Sequence, residues 1–207
     1  MMCVQVNSPH KAHAALNNAS WSIDPAQDRA RGTITFDGLQ GHANHTRSVV
    51  YRRGEWWVVV DRILTDRPRD VEALWHAHPK CTATLTEGDS TDVLVARIVD
   101  NATRVGLDVV PASSANAKWT NATVIKGQKG AELQGWYSPK YGVCLPNPVA
   151  IYRATVSSAR TSFAWVLVPT ENGVSSGARA RISFEDDAHV VVEVVVKGVS
   201  TSVSVEM

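Results

Sequence analysis

Two apolar stretches separated by a short polar break lie between Asn44 and Ile63. Both stretches are rich in β-branched and aromatic residues, which pack well on a pleated surface. The break at Arg53-Gly54-Glu55 contains a glycine, which can adopt the positive φ that a tight turn needs. The pattern therefore predicts two antiparallel strands joined by a hairpin turn, with this hairpin in the core of the fold.

Side-chain alternation places polar groups at the ends of both predicted strands. On the first strand His45 and Arg47 share a face, and on the second Asp61 shares a face with Trp57 and Val59. A guanidinium group can bind a carboxylate through two parallel hydrogen bonds. His45 and Arg47 are therefore candidates to bind an acidic ligand, and the alternative is a structural ion pair between Arg47 and Asp61.

Length and charge restrict the class of protein. A chain of 207 residues can bury a large core in one all-β domain, so residues 1–207 are interpreted as a single domain. The net charge of +1, with both signs mixed along the chain, gives no electrostatic reason to expect a nucleic acid partner. No apolar stretch approaches the ~18 residues of a spanning helix, so membrane insertion is not expected.

The cysteines give no recognisable framework. Cys3, Cys81 and Cys144 are odd in number and widely spaced, without a C-x-x-C pair. This pattern indicates neither a disulfide scaffold nor a zinc ribbon. One pair could still form a bridge in an oxidising compartment.

Short apolar stretches alternate with polar breaks along the rest of the chain, as in strands and turns. Segment 10–23 is interpreted as strand, turn and strand because Asn17-Asn18 favours a turn, and segment 22–31 as a loop. Segment 71–85 is interpreted as one strand interrupted at Pro79. About a dozen strands and no convincing helix predict an all-β fold, a large antiparallel β-sandwich of two sheets.

The segment from Glu132 to Pro148 is the longest irregular stretch with aromatic content. Its glycines and prolines predict a packed surface loop, a type of segment that often carries function. Trp136, Tyr137 and Tyr141 could stack on sugar rings, because aromatic faces offer flat apolar area. Alternatively, they anchor the loop to the core.

Three segments together resemble the C-terminal β-sandwich region of heparinase II/III-type polysaccharide lyases. They are, in chain order, H-T-R-S-V-V-Y-R-R-G-E-W-W-V-V-V-D-R-I, W-H-A-H-P and G-W-Y-S-P-K-Y-G-V-C-L-P-N-P-V. The order and spacing of the segments carry the resemblance, which covers about residues 10–170.

The resemblance implies the sandwich part of a lyase that cleaves uronic-acid-containing polysaccharides by β-elimination. In that family an N-terminal (α/α) toroid precedes the sandwich and supplies the catalytic tyrosine. The chain is therefore expected to be a fragment that is incomplete on its own, and no catalytic residue is assigned in it. The resemblance also implies a periplasmic or secreted location, although the chain shows no signal peptide.

Within this resemblance, five side chains are expected to bind an acidic polysaccharide: His45, Arg47, Trp136, Tyr137 and Tyr141. The missing toroid is the other expected partner. The alternative function is a non-catalytic carbohydrate-binding or interaction β-sandwich.

Metal binding is considered for two groups of histidines. His13 resembles a family histidine that helps to bind a structural zinc in some members, but Ala14 replaces the usual asparagine and the partner ligands would lie upstream. The alternative is an ordinary strand histidine. His76 and His78 form an H-x-H pair, which binds zinc only if a third ligand converges. No other cofactor is expected.

Overall fold

The computed structural model describes residues 2–6, 13–37, 41–88, 94–113, 118–130, 133–157 and 160–207. These residues form 17 strands, and the strand pairs between them are antiparallel. The prediction of an all-β antiparallel fold is confirmed, but the described residues form more strands than the dozen expected, in four sheets instead of two. Within the described ranges, the structure has no helix long and apolar enough to cross a membrane.

An eight-stranded sheet is the centre of the fold. In spatial order it contains β2 (His13–Ile23), β3 (Gln27–Asp37), β4 (His42–Arg52), β5 (Trp56–Thr65), β14 (Arg160–Thr170), β9 (Gly106–Ser113), β8 (Leu94–Asp100) and β7 (Cys81–Glu87).

Three smaller sheets complete the architecture. A four-stranded sheet contains, in order, β1 (Met2–Val6), β6 (Arg69–His76), β13 (Pro148–Val156) and β10 (Asn121–Lys126). A three-stranded sheet contains β15 (Arg179–Glu185), β16 (His189–Val196) and β17 (Val199–Glu206). A two-stranded hairpin contains β11 (Trp136–Lys140) and β12 (Val143–Pro146).

The eight-stranded sheet is covered on both faces. One face packs against the four-stranded sheet around the buried aromatic residues Trp165, Tyr152 and Phe163. The other face packs against the three-stranded sheet through alternating valines, such as Val58 and Val192. The central strands β5 and β14 are therefore buried on both faces, which explains why their sequences are almost continuously apolar.

The hairpin predicted between Asn44 and Ile63 is present as β4 and β5, with Tyr51 opposite Trp57. Gly54 has a φ of 77° in the turn, as the sequence predicts. The backbone N–H of Glu55 donates to the carbonyl oxygen of Arg52 at 3.0 Å and closes the turn.

Two local predictions near the amino terminus are wrong. Asn17-Asn18 does not form a turn between two strands, because β2 runs continuously and accommodates Asn18 as a bulge with φ 51°. The loop predicted for residues 22–31 is shorter, since β3 already begins at Gln27. The carboxylate of Asp24 accepts backbone N–H groups from Ala26 and Gln27 at 2.8 Å and forms a tight turn.

Two predictions in the second half of the fold are also corrected. The strand expected over residues 71–85 is two strands, β6 and β7, which belong to different sheets. Pro79 lacks an N–H group and marks the point where the chain crosses between them. The loop expected over residues 132–148 contains the β11–β12 hairpin, whose turn uses Gly142 at φ 75°.

Candidate functional site

Asp61 is a buried carboxylate that accepts hydrogen bonds from three side chains. His45 Nε2 and Arg47 Nε each lie 2.7 Å from Asp61 Oδ1. Trp165 Nε1 donates to Asp61 Oδ2 at 3.1 Å. The carboxylate therefore connects two basic side chains of β4 to the aromatic core.

Strand register explains this arrangement. Arg47 lies directly opposite Asp61 on β5, and His45 lies two residues along on the same face of β4. Their neighbours on this face, such as Val59, pack towards the four-stranded sheet. The structural ion pair considered from the sequence is thus present. Binding of a ligand by His45 and Arg47 stays a prediction.

Exposure differs between the members of this cluster. The Asp61 side chain is only 4% exposed, whereas those of His45 and Arg47 are 13% and 26% exposed. Burial alone would raise the pKa of Asp61, but the hydrogen bond from His45 and the charge of Arg47 hold this pKa below its ordinary value. A buried anion thus holds two basic side chains in place, and both side chains reach the surface.

The predicted aromatic residues lie on the β11–β12 hairpin and its turn. Tyr141 is fully exposed, and Tyr137 is 40% exposed opposite the equally exposed Leu145 on β12. Trp136 is held more firmly, because its Nε1 donates to the carbonyl oxygen of Gln128 at 2.8 Å. Trp136 is thus tied to the neighbouring loop, whereas the two tyrosines are exposed. Binding of sugar rings by these three residues stays a prediction.

His78 adds a basic group beside this hairpin. Its ring centroid lies 5.7 Å from that of Tyr137. Lys129 lies over the Trp136 ring, with Nζ 5.6 Å from the centroid. The sequence alone places neither residue on this surface, because nothing in the local pattern shows which loops meet across the end of β6.

The five predicted ligand-binding residues thus form two groups. His45 and Arg47 belong to the eight-stranded sheet, and Trp136, Tyr137 and Tyr141 belong to the hairpin. Trp165 is a further member of the Asp61 cluster that the sequence analysis did not identify. It lies about 100 residues from Asp61 along the chain, so only the pairing of β14 with β5 brings them together.

The zinc hypotheses gain no support from the described residues. The side chain of His13 lies outside them, so its prediction stays untested. Among the residues described, no group of three His, Cys, Asp or Glu side chains could hold a metal ion. His76 is half-buried, and burial lowers its pKa. Cys81 and Cys144 are free thiols.

Comparison with known families decides the affiliation of the chain. Residues 16–185 match the family model "Heparinase II/III-like, C-terminal". The chain belongs to the heparinase II/III-like family. The resemblance described from the three sequence segments is therefore confirmed, and the heparinase-like chain corresponds to the C-terminal region of that family.

Solved structures share the fold of this heparinase-like chain. A heparinase III matches with a TM-score of 0.72 and 12% identity over 99% of the chain. A heparan sulfate lyase from Pedobacter heparinus matches with a TM-score of 0.69 and 13% identity over 91% of the chain. The chain covers only 30% and 27% of these two structures. No curated protein matches its sequence.

Proposed function

We propose that this heparinase-like chain is the sandwich part of a lyase that cleaves uronic-acid-containing polysaccharides by β-elimination. The names of the two structural neighbours, a heparinase III and a heparan sulfate lyase, support an acidic polysaccharide as the ligand. The observation that carries the proposal is the pair of basic side chains held on the buried carboxylate of Asp61.

The chemistry of β-elimination gives this pair a role. The reaction needs a neutralised uronate carboxylate, a base that removes the C5 proton and an acid that protonates the leaving oxygen. A guanidinium group fits the first task, because it can bind a carboxylate and compensate its charge. Asp61 fixes Arg47 and His45 before the ligand arrives, which reduces the entropy lost on binding.

The base and the acid of the reaction are assigned to another domain. In the proposed complete lyase an α/α toroid supplies the base and the acid, and the sandwich contributes to substrate binding. The enzyme would act in the periplasm or outside the cell, where acidic polysaccharides are available as substrates. Release of unsaturated uronate by the purified chain alone, measured by absorbance, would contradict this division of roles.

Arg47→Gln is expected to weaken the binding of uronic-acid oligosaccharides at this site by about tenfold or more, because a charge-assisted contact is lost. The measurement is calorimetric titration of the folded chain with oligosaccharides from heparan sulfate, hyaluronan and alginate. Arg47→Lys keeps the charge and should retain part of the affinity. Arg53→Gln removes an equal charge in the hairpin turn and should have no effect. Equal affinities in all four proteins would exclude Arg47 as a ligand contact.

A second candidate function is supported by the exposed tyrosines. Tyr137, Tyr141 and Leu145 form an apolar surface on the hairpin, with His78 beside it. A non-catalytic carbohydrate-binding domain would use such a surface for stacking.

Tyr141→Ala tests this second function. If stacking dominates, the substitution should weaken oligosaccharide binding about fivefold to tenfold, equivalent to about 1 kcal/mol, without changing the melting temperature. Titration with neutral and acidic oligosaccharides distinguishes the functions, because stacking tolerates a neutral sugar and the Arg47 site requires an acidic one. Tyr141→Phe is the matched control, since this variant keeps the aromatic ring. Unchanged binding in Tyr141→Ala would exclude the hairpin tip.

A further inference from the structure

A polar groove lies on the opposite face of the eight-stranded sheet from Asp61. On this face Val50 and Val58 pack towards the three-stranded sheet, and Ser48 continues the same row of β4. Arg29 and Arg31 of β3 pair with Val50 and Ser48, so they share this face. Beyond the valines the sheet surface is therefore polar and basic.

Strand β17 forms the other wall of the groove. It is an edge strand of the three-stranded sheet. Arg29 donates to the carbonyl oxygen of Ser204 at 3.2 Å, and Ser48 Oγ donates to the carbonyl oxygen of Glu206 at 2.6 Å. These side chains occupy carbonyl groups that an added strand would need, so the edge is poorly suited to pairing with a peptide.

Three cavities lie next to one another along the groove. Their volumes are about 170, 230 and 330 Å³. The first two share Arg29 and Val50 in their walls, and the last two share Arg31. From Gln27 to Thr33 along β3 the groove is about 20 Å long, at about 3.4 Å per residue. The groove is thus elongated.

Five arginines line this groove, but they differ in their partners. Arg52 pairs with Glu55, and Arg160 pairs with Asp187. Arg62 donates to the backbone carbonyl oxygens of Asp186, Asp187 and His189 and thereby holds the β15–β16 turn. These three side chains form the basic walls.

Arg29 and Arg31 are different, because the ion pairs found among the described residues include neither of them. Two acidic side chains also line the groove, Glu206 in the middle cavity and Asp187 in the largest of the three. Nε of Arg31 is buried and has no hydrogen-bond partner. Because neither side chain forms an ion pair with a carboxylate, Arg29 and Arg31 are the candidates in the groove to bind an anionic ligand.

We propose that this groove binds a stretch of acidic polysaccharide, with Arg29 and Arg31 contacting its sulfate or carboxylate groups. The length of the groove fits a chain-like ligand, the arginines fit its charges, and the hydroxyl groups of Ser20 and Ser22 fit its polar rings. The class of ligand rests on the proposed function. The site lies on the opposite sheet face from Arg47, so one domain would hold the polysaccharide at two places.

The test is calorimetric titration of the purified chain with a heparin-derived hexasaccharide. Two binding sites per chain are expected. Arg31→Gln should weaken one of them at least tenfold, and Arg31→Lys should restore part of this loss. Arg181→Gln is the matched control, because Arg181 is an exposed arginine outside the groove that pairs with Glu193. Since Nε of Arg31 makes no hydrogen bond, Arg31→Gln should leave the melting temperature unchanged.

The variants separate the two proposals. If Arg31→Gln binds the hexasaccharide as the wild type does, the groove proposal is wrong, whatever happens at Arg47. If Arg31→Gln abolishes one site while Arg47→Gln changes nothing, the groove stands and the Arg47 site fails. Binding of sodium sulfate alone as tightly as the hexasaccharide would overturn the polysaccharide assignment. An extended peptide that displaces the hexasaccharide and binds more tightly would overturn this assignment as well.

Discussion

Replacing Asp61 with alanine is expected to lower the free energy of unfolding by about 3–5 kcal/mol. The substitution removes the anion that His45 and Arg47 share, and leaves Nε1 of the buried Trp165 without an acceptor. Urea denaturation of the wild type and the variant measures the difference. Asp28→Ala is the control, because Asp28 pairs with Arg53 at a partly exposed site and should contribute less than about 1 kcal/mol.

The pH dependence of stability provides a second measurement on the same variant. Because the folded protein holds the pKa of Asp61 below its ordinary value, the carboxylate stabilises the fold at a pH above that ordinary value. This contribution is lost as the pH falls through the ordinary value towards the lower pKa of the folded state. Asp61→Ala should therefore lose less stability than the wild type on acidification. An identical acid dependence would show that Asp61 has no shifted pKa.

Replacing Trp165 with alanine is expected to cost a similar amount, about 3–5 kcal/mol. Its indole ring is fully buried and packs against the rings of Trp75, Trp119 and Tyr152 at centroid distances of 5.0–5.3 Å. Truncation would leave a cavity between the eight-stranded and four-stranded sheets. Thermal and urea unfolding of the variant measure the loss.

Two further substitutions define what the tryptophan contributes. Trp165→Phe keeps most of the packing but removes the donor to Asp61, so the expected loss is about 1–3 kcal/mol. Trp21→Ala removes an indole that is 81% exposed and should be nearly neutral.

The double variant of Trp165 and Asp61 should be less destabilised than the sum of the single variants, since both remove the same hydrogen bond. Additive losses would contradict this coupling.

The sequence predicts the fold best where the chain pairs locally. The β4–β5 hairpin follows from alternation and a glycine at the turn, and the ion pair between Arg47 and Asp61 follows from the register of that hairpin. Such features depend only on neighbouring residues. The resemblance of three segments to a known family is also readable without a structure.

Other features depend on contacts between distant residues. The assignment of β6 and β7 to different sheets, the contact of Trp165 with Asp61 and the meeting of His78 with Tyr137 each join segments that alternation alone cannot position. The groove beside β17 was even less predictable from the sequence, because Arg29 and Arg31 lie in a segment interpreted as a loop. Only the observed start of β3 at Gln27 gives these arginines a common face.

The order of strands in the eight-stranded sheet affects how the protein folds during synthesis. Strands β2 to β5 are consecutive hairpins and can form as soon as they leave the ribosome. One edge of β5, however, pairs with β14, which begins only at Arg160. For about 95 further residues, a period of about 5–20 s at bacterial or eukaryotic synthesis rates, the almost entirely buried strand β5 has an open edge. Chaperone binding to this nascent edge would protect it from pairing with other chains.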